Sequence, residues 1–269
     1  MRVVVLVPTY NELEALPITM DRLLQAAPEV EVLVIDDASP DGTGELADAM
    51  AAADSRISVL HRGAKEGLGA AYLHGMRVAL ERGADAVVEF DADGSHPAEA
   101  VPRMLARLRD GAAPGADLVI GSRWVAGGGI ADWPWHREAI SRIGNAYARV
   151  MLGSPVRDMT AGCRAYTADL LRRIPLERVR SQGYCFQIDM TRRALEAGAV
   201  VVELPIVFRE REVGVSKMTP GIVREALTNV TGWALGRALR AVELRAKALS
   251  GLRRDPSAGT RPGSRDRWS

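Results

Sequence analysis

The segment AVVEFDADGSHP, residues 86–97, joins an apolar run to a polar turn and gives the strongest indication of the fold. Its nearly continuous apolar run is typical of a parallel strand that is covered on both faces. Asp91 and Asp93 follow two positions apart, so an extended backbone places both carboxylates on the same side. Such a pair can bind one divalent cation whose other ligands are water and substrate phosphates. An isolated pair is more typical of a solvated turn, but its position after a strand favours a metal site.

Similar apolar runs occur on both sides of this segment and alternate with helical patterns. The further runs predicted to be strands are residues 3–8, 30–36, 57–61 and 116–122, with a strand-like stretch at 200–208. Helical spacing of apolar residues occurs in residues 13–27, 42–53, 70–82, 97–110 and 138–152. This alternation predicts an α/β fold with a doubly wound, mostly parallel sheet and helices on both faces. The ligand site of such a sheet lies at the carboxyl ends of its strands.

Polar residues follow the predicted strands at the points where the strands end. These clusters are PTYNE at 8–12, DDASPDGT at 36–43, DADGSHP at 91–97 and GSR at 121–123. Asp41 and Thr43 are explained by a turn and a helix N-cap, whereas Asp37 is more than the cap requires. The first connection has no glycine-rich phosphate-binding turn, which disfavours a dinucleotide oxidoreductase or a P-loop nucleotidase.

Composition excludes several classes of protein. The 269 residues include 35 Lys and Arg against 34 Asp and Glu, a formal charge of +1. That balance argues against a nucleic-acid partner bound through a general basic field, and 47% hydrophobic residues argue against a disordered chain. Two cysteines, Cys163 and Cys185, are too few for a disulfide framework. We expect both to be reduced and buried, with a single bridge as the alternative.

Seven motifs together resemble one family of enzymes. They are PTYNE, IDDASPDGT, EGLGAAYLHG, DADGSH, GSRW, DMTAGCRAY and REREVGVSKM. In this order and with matching gaps they resemble the inverting GT-A glycosyltransferases of family two, and within them the dolichyl/polyprenyl-phosphate mannose synthases. The resemblance runs from about residue 2 to about residue 219. It implies transfer of mannose from GDP-mannose to a membrane polyprenyl phosphate, with Mg²⁺ or Mn²⁺ as cofactor.

The resemblance also implies roles for individual residues. The guanosine would be held by Pro8, Tyr10, Glu12, Ile35 and Asp37. The diphosphate and the metal would lie at Asp91, Ala92, Asp93 and Ser95, with Asp91, Asp93 and Ser95 as the metal ligands. The donor phosphates would meet Arg123, Arg211 and Lys217, which together with Asp93 would be the catalytic residues. Some relatives carry Gln at the position of Ser95, so the shorter Ser hydroxyl would bind the metal through water.

The acceptor side follows from the chemistry. A lipid phosphate is already anionic at neutral pH, so transfer of a sugar to it needs no strong general base. The enzyme needs cationic side chains that bring two phosphate-bearing substrates together. Arg137 and Ser141, one helical turn apart, suit this role, and the resemblance places the lipid phosphate near them, with Arg123 shared between donor and acceptor. The alternative is that Arg137, Arg142 and Arg149 form a solvated helix face.

Membrane contact is expected without a membrane span, because no run of about 18 apolar residues occurs. Trp124, Trp133 and Trp135 and the helix that follows suit interfacial helices at the headgroup level. We divide the chain into a catalytic domain (1–219), an amphipathic helix (220–250) and a disordered basic tail (251–269) that an anionic leaflet would attract. The alternative for the helix is packing of its apolar stripe on the catalytic domain.

These features predict a cytoplasmic protein, peripheral on the inner face of the membrane, held by its interfacial helices or by a membrane-anchoring protein. Two rival functions remain. One is the same fold with UDP-glucose or another nucleotide sugar as donor. The other is a non-catalytic subunit that binds a nucleotide sugar, which the presence of Asp91, Asp93, Arg211 and Lys217 disfavours.

Overall fold

A computed structural model of the chain describes residues 1–108, 115–210 and 224–239. The strands are β1 (Val3–Thr9), β2 (Glu31–Asp36), β3 (Ile57–His61), β4 (Ala86–Glu89), β5 (Leu118–Ser122), β6 (Gly129–Ile130), β7 (Arg164–Thr167), β8 (Val201–Pro205) and β9 (Val207–Phe208). The helices are α1 (Ala15–Ala26), α2 (Thr43–Ala53), α3 (Leu68–Glu81), α4 (Ala100–Leu105), α5 (Trp135–Leu152), α6 (Ala168–Arg173) and α7 (Gly183–Glu196). Residues 224–239 form a further helix, α8.

Seven strands form the central sheet in the order β3-β2-β1-β4-β7-β5-β8. The strand β7 runs antiparallel to both of its neighbours, and every other pairing in this sheet is parallel. The predicted doubly wound, mostly parallel α/β fold is therefore confirmed. Sequence reasoning did not find β7, because RAYT is only four residues long and begins with an arginine.

Alternate residues of each central strand enter two different cores. Val5 and Val7 of β1 lie in the core that contains side chains of α1 and α4. Val4 and Leu6 lie in the opposite core, with side chains of α3 and α7. Complete burial of a Val or Leu side chain stabilises the fold by about 1.5–3 kcal/mol. Burial on both faces explains why these strands have continuous apolar sequences.

The later part of the chain differs in detail from the sequence prediction. The three glycines and the Trp-Pro-Trp of residues 126–136 predict a mobile loop, but this stretch contains β6, which pairs with β9, and α5 already begins at Trp135. The loop prediction was therefore wrong over β6 and over the start of α5. Backbone pairing with β9 stabilises this stretch, and such a partner has no local signal in the sequence.

The helix α8 packs on the α/β domain through part of its apolar stripe. Val230 is buried in the core with α3 and α7, and Trp233 packs against it, whereas Leu235 and Leu239 are exposed. Arg237 donates to the carbonyl oxygens of Leu152, at 2.5 Å, and Met151, at 3.0 Å, at the end of α5. The alternative of packing on the domain therefore holds for Val230 and Trp233. Residues 211–223 and 240–269, and with them the predicted limits at 219 and 250 and the basic tail, lie outside the described residues.

Two further expectations concern cysteines and membrane spans. Cys163 and Cys185 are both buried and unbridged. Among the residues that the structure describes, no helix combines the length and the apolar character needed to cross a membrane.

Candidate active site

Two adjoining cavities lie at the carboxyl edge of the central sheet, where β1, β2, β4 and β5 end. We call them the β1–β2 cavity, of about 120 Å³, and the central cavity, of about 340 Å³. They share the lining residues Lys65, Gly67, Leu68, Asp91 and Asp93. The polar strand ends therefore converge as the sequence analysis predicted, and the Asp91–Asp93 pair lies at the junction.

Most of the predicted site residues in the described part of the chain line one of these cavities. The predicted donor residues at the β1–β2 cavity are Pro8, Tyr10, Glu12, Asp37, Asp91, Ala92 and Asp93. The predicted residues at the central cavity are Asp91, Asp93, Ser95, Arg123 and Arg137. Arg211 and Lys217 lie outside the described residues.

Two predicted residues line neither cavity. The Ile35 side chain is fully buried in the core, where it lies against Gly75 of α3. Side chains of a strand alternate between the two faces of the sheet, and on β2 this alternation directs Ile35 into the core on one face. The predicted contact of this side chain with guanosine therefore needs correction. Ser141 lies one turn after Arg137 on α5, and its carbonyl oxygen accepts from Asn145 Nδ2 at 2.9 Å. The long Arg137 side chain reaches the central cavity from this helix, and the short Ser141 hydroxyl does not.

The Asp91–Asp93 pair is held by hydrogen bonds. Asp91 Oδ1 accepts from the Tyr72 hydroxyl at 2.8 Å, and Asp91 Oδ2 lies 3.2 Å from His96 Nε2. Burial and the Asp91 charge raise the pKa of Tyr72 well above its ordinary value, so the phenol remains a donor. Asp93 Oδ1 accepts from the backbone N–H of Ser95 at 3.1 Å. These bonds fix the two carboxylates at the wall of both cavities.

These residues fit a divalent cation. Within the described residues, no group of three or more His, Cys, Asp and Glu side chains could hold a metal by itself. The Ser95 hydroxyl is buried beside Asp93 and has no hydrogen-bond partner among the described residues. Mg²⁺ is commonly bound by one or two carboxylates together with substrate phosphates. Asp91 and Asp93 supply two carboxylates, and the Ser95 hydroxyl lies beside them.

Lys65 is a cation that sequence reasoning did not assign to the site. Its Nζ lies 3.6 Å from the centre of the Tyr10 ring, and the residue lines both cavities. Nearby, Arg62 Nη1 donates to Asp37 Oδ1 at 2.5 Å. Burial raises the pKa of Asp37, and the Arg62 charge opposes this rise. The rarity of lysine in the chain was the one signal that could have drawn attention to Lys65.

Arg123 is fixed at the wall of the central cavity by a buried ion pair. Its Nε and Nη2 donate to the two carboxylate oxygens of Asp158 at 2.8 and 2.7 Å, and Nη2 also donates to Thr160 Oγ1. The Asp158 side chain is completely buried. The position of Asp158 in the DMTAGCRAY motif is compatible with two roles, orienting a neighbour or approaching the acceptor. The geometry makes it the residue that orients Arg123.

Arg137 reaches the central cavity from the first turn of α5. Its guanidinium lies 4.1 Å from the centre of the Trp133 ring, and Nη1 donates to Glu210 Oε1 at 2.6 Å. Cation–π contact and the carboxylate hold the charge in place, while the cavity leaves it accessible to a ligand. The interpretation of Arg137 as part of a freely solvated helix face does not hold.

His96 and Gln187 are lining residues that the sequence analysis missed. The sequence spacing of His96 does not suggest a metal site and so favours a structural or surface role, but His96 lines the central cavity, with its ring centre 5.4 Å from that of Phe208. Gln187 of α7 also lines this cavity, and its Nε2 donates to Glu89 Oε2 at 2.7 Å. Glu89 is fully buried two residues before Asp91. A histidine without metal-ligand spacing and a glutamine on a distant helix carry no local signal of such a role.

We expect Glu89→Gln to reduce a pH-dependent loss of stability. Burial raises the pKa of Glu89 from 4.5 to about 7, although the charge of Arg164 opposes the rise. Between these values the folded protein retains a proton that the unfolded chain releases, so stability falls as the pH rises. By about pH 8 this loss is on the order of 3 kcal/mol. Urea denaturation at about pH 5 and pH 8 measures it, and an equal pH dependence in both proteins would contradict the prediction.

Comparison with known proteins gives the family. The profile described as Glycosyl transferase family 2 matches residues 4–174. The undecaprenyl-phosphate mannosyltransferase of Micrococcus luteus is 56% identical over 87% of this chain and 95% of the relative. The polyprenol monophosphomannose synthase of Mycolicibacterium smegmatis is 52% identical over 89% of this chain and 90% of the relative.

A solved structure shares the fold. Glucosyl-3-phosphoglycerate synthase from Mycobacterium tuberculosis, in complex with Mn²⁺, UDP-glucose and phosphoglyceric acid, superposes with a TM-score of 0.64. Its sequence is 21% identical, and the match covers 87% of this chain and 80% of that one. The sheet and its carboxyl-edge site, together with these likenesses, define a glycosyltransferase with the GT-A fold. The chain belongs to glycosyl transferase family 2.

Proposed function

We propose that this enzyme transfers mannose, with inversion, from GDP-mannose to a polyprenyl phosphate and that the reaction depends on Mg²⁺ or Mn²⁺. The printed names of two relatives that are more than half identical support the sugar and the lipid acceptor. The guanine nucleotide follows from the resemblance of the motifs. The cation follows from the donor set of Asp91, Asp93 and Ser95.

The observation that carries the proposal is the position of Asp91 and Asp93 between two cavities of different character. The β1–β2 cavity is narrow and offers Tyr10 and Asp37, an aromatic ring and a carboxylate suited to a nucleoside. The central cavity is larger and offers the guanidinium of Arg137. A nucleotide sugar laid across the junction would place its diphosphate at the carboxylate pair and its sugar in the central cavity.

The residues of the central cavity suit an anionic acceptor. The lipid phosphate needs no strong base, and Arg137 would bring it towards the sugar against the repulsion of the donor phosphates. Trp133 and Phe208 line the same space with apolar rings that exclude water. A divalent cation, when bound, neutralises charge on the departing nucleoside diphosphate.

An acceptor that stays in the bilayer requires the enzyme to lie at the membrane surface. The helix α5 presents Trp135, Ile143 and Val150 to solvent, with 81%, 68% and 78% exposure. Large exposed apolar side chains on one helix next to the acceptor cavity support contact with lipid. We place the protein on the inner face of the membrane, held by this helix or by a membrane-anchoring partner.

Incubation with labelled donor tests the proposed function. The purified protein receives radiolabelled GDP-mannose, polyprenyl phosphate and Mg²⁺ or Mn²⁺, and label is measured in the organic extract. We expect extractable label that requires both the lipid and the cation. Label from UDP-glucose and none from GDP-mannose would overturn the donor assignment. Absence of label from every nucleotide sugar would favour the non-catalytic subunit.

We expect Arg137→Ala to raise the KM for polyprenyl phosphate more than the KM for GDP-mannose. Loss of a charge-assisted hydrogen bond costs about 1.5–3 kcal/mol, so the lipid KM should rise about 10- to 100-fold. Steady-state kinetics with each substrate varied in turn measures the difference. Arg172→Ala, on the exposed surface of α6, is the matched control and should change neither KM. Equal effects of Arg137→Ala on both constants would undo the assignment.

A further inference from the structure

A third cavity lies beside α5, and no step of the proposed transfer uses it. It has a volume of about 260 Å³ and is lined by Trp124, Arg142, Asn145, Ala146, Arg149 and Arg157. We call it the arginine cavity. Three guanidinium groups converge on it, and none of its lining residues is a carboxylate.

Two buried donors at the arginine cavity have no acceptor. Trp124 Nε1 and Arg149 Nε are both inaccessible to solvent, and neither has a hydrogen-bond partner in the described part of the chain. An indole N–H and a guanidinium N–H can only donate. A buried donor without an acceptor costs about 1–3 kcal/mol, so an acceptor bound in this cavity would recover that cost at two positions.

The cationic charge of the arginine cavity is only partly neutralised within the protein. Arg142 pairs with Glu138 at 2.7 Å on the exposed side of α5, and its guanidinium lies 4.2 Å from the centre of the Trp124 ring. Arg149 and Arg157 form no ion pair with any described carboxylate. Unpaired guanidinium groups around a cavity are typical of a site for phosphate, which they bind through two parallel hydrogen bonds.

The arginine cavity is separate from the central cavity, although only one layer of side chains lies between them. Asn145 Nδ2 donates to Thr160 Oγ1 at 3.0 Å, and Thr160 in turn accepts from Arg123. Thr160 and Arg123 line the central cavity, and none of the residues of the arginine cavity does so. A ligand in the arginine cavity would therefore be additional to the donor and the acceptor.

We propose that the arginine cavity is a second anion site that binds a phosphate group through Arg149 and Arg157 and the indole N–H of Trp124. A membrane lipid headgroup and a free phosphate share this chemistry. Ile143 and Val150, exposed on the same helix, would lie near the lipid chains if the phosphate belongs to a headgroup. The site does not depend on the proposed mannosyl transfer, because its ligand is neither substrate.

The test compares Arg149→Gln/Arg157→Gln with the matched control Arg172→Gln/Arg178→Gln, which removes two arginines that are exposed elsewhere. Binding is measured by cosedimentation with phosphatidylcholine vesicles that contain about one-third phosphatidylglycerol, at constant ionic strength. A headgroup ligand predicts about tenfold weaker binding for the cavity variant than for the control. Vesicles of phosphatidylcholine alone should bind the two variants equally.

A second arm uses inorganic phosphate against chloride at equal ionic strength, with the melting temperature as the readout. If the ligand is free phosphate, phosphate should raise the melting temperature of the wild type and the control, and it should raise that of the cavity variant less. A difference in either arm supports the site and identifies the source of the phosphate. Equal behaviour of both variants in both arms overturns the proposal. Trp124→Phe, which removes only the indole N–H donor and keeps an aromatic side chain, should show the same change in weaker form and replaces the double variant if that does not fold.

Discussion

Asp93→Asn is expected to lower the rate of sugar transfer by about a thousandfold and to leave the fold intact. The substitution keeps the size of the side chain and its capacity to accept from the Ser95 N–H at 3.1 Å. It removes one of two negative charges at the junction of the cavities, and charge stabilisation by a bound cation contributes several kcal/mol, with about 1.4 kcal/mol per tenfold in rate. Measurement of kcat at saturating Mg²⁺, together with Mn²⁺ affinity by electron paramagnetic resonance, checks both effects.

Asp48→Asn is the matched control for this substitution. Asp48 is exposed on α2 and pairs with His61 at 3.0 Å, so its loss should leave kcat unchanged. Near-normal turnover and Mn²⁺ affinity in Asp93→Asn would show that the cation site lies elsewhere.

Asp158→Ala is expected to destabilise the fold by about 3–5 kcal/mol, because it removes the buried carboxylate that pairs with the buried guanidinium of Arg123. The variant removes two side-chain hydrogen bonds of 2.7 and 2.8 Å as well as the acceptor for the Arg123 backbone N–H. Arg123 would also lose its fixed orientation at the central cavity, so activity should fall in the fraction that remains folded. Urea denaturation at neutral pH gives the free energy of unfolding.

Two comparisons make this second prediction specific. Asp169→Ala removes the exposed partner of Arg172 and should cost no more than about 1 kcal/mol. Addition of Arg123→Met to Asp158→Ala should recover part of the loss, because the buried guanidinium that lost its Asp158 carboxylate is then gone as well. A loss in Asp158→Ala as small as that in Asp169→Ala would contradict the assignment of a buried ion pair.

The parallel strands could be predicted from the sequence because burial on two faces produces uninterrupted apolar runs. The strand β7 could not, since its first residue is Arg164, which is fully buried yet charged. Arg164 donates to the carbonyl oxygens of Ala161 and Met159 and to Thr191 Oγ1. Those acceptors come from the preceding connection and from α7, and a pattern of local hydrophobicity does not contain them.

The residues of the candidate site likewise fall into those that the sequence could predict and those that it could not. Residues directly after strands, such as Tyr10, Asp37 and Asp93, were found because parallel strands end at one edge. Lys65 and Gln187 lie on a connection and a helix whose approach to that edge depends on the tertiary fold. The assignment of Ile35 came from resemblance alone, and the alternation of side chains along β2 would have argued against it.

One competition reaction distinguishes GDP-mannose from UDP-glucose as the donor for the lipid phosphate. The wild-type enzyme receives Mg²⁺, polyprenyl phosphate, GDP-mannose with a ¹³C-labelled sugar and an equal concentration of unlabelled UDP-glucose. The mass of the lipid product is then measured by mass spectrometry. We expect polyprenyl phosphate extended by one ¹³C-labelled hexose. A product that carries an unlabelled hexose, or a lipid whose mass does not change, would contradict it.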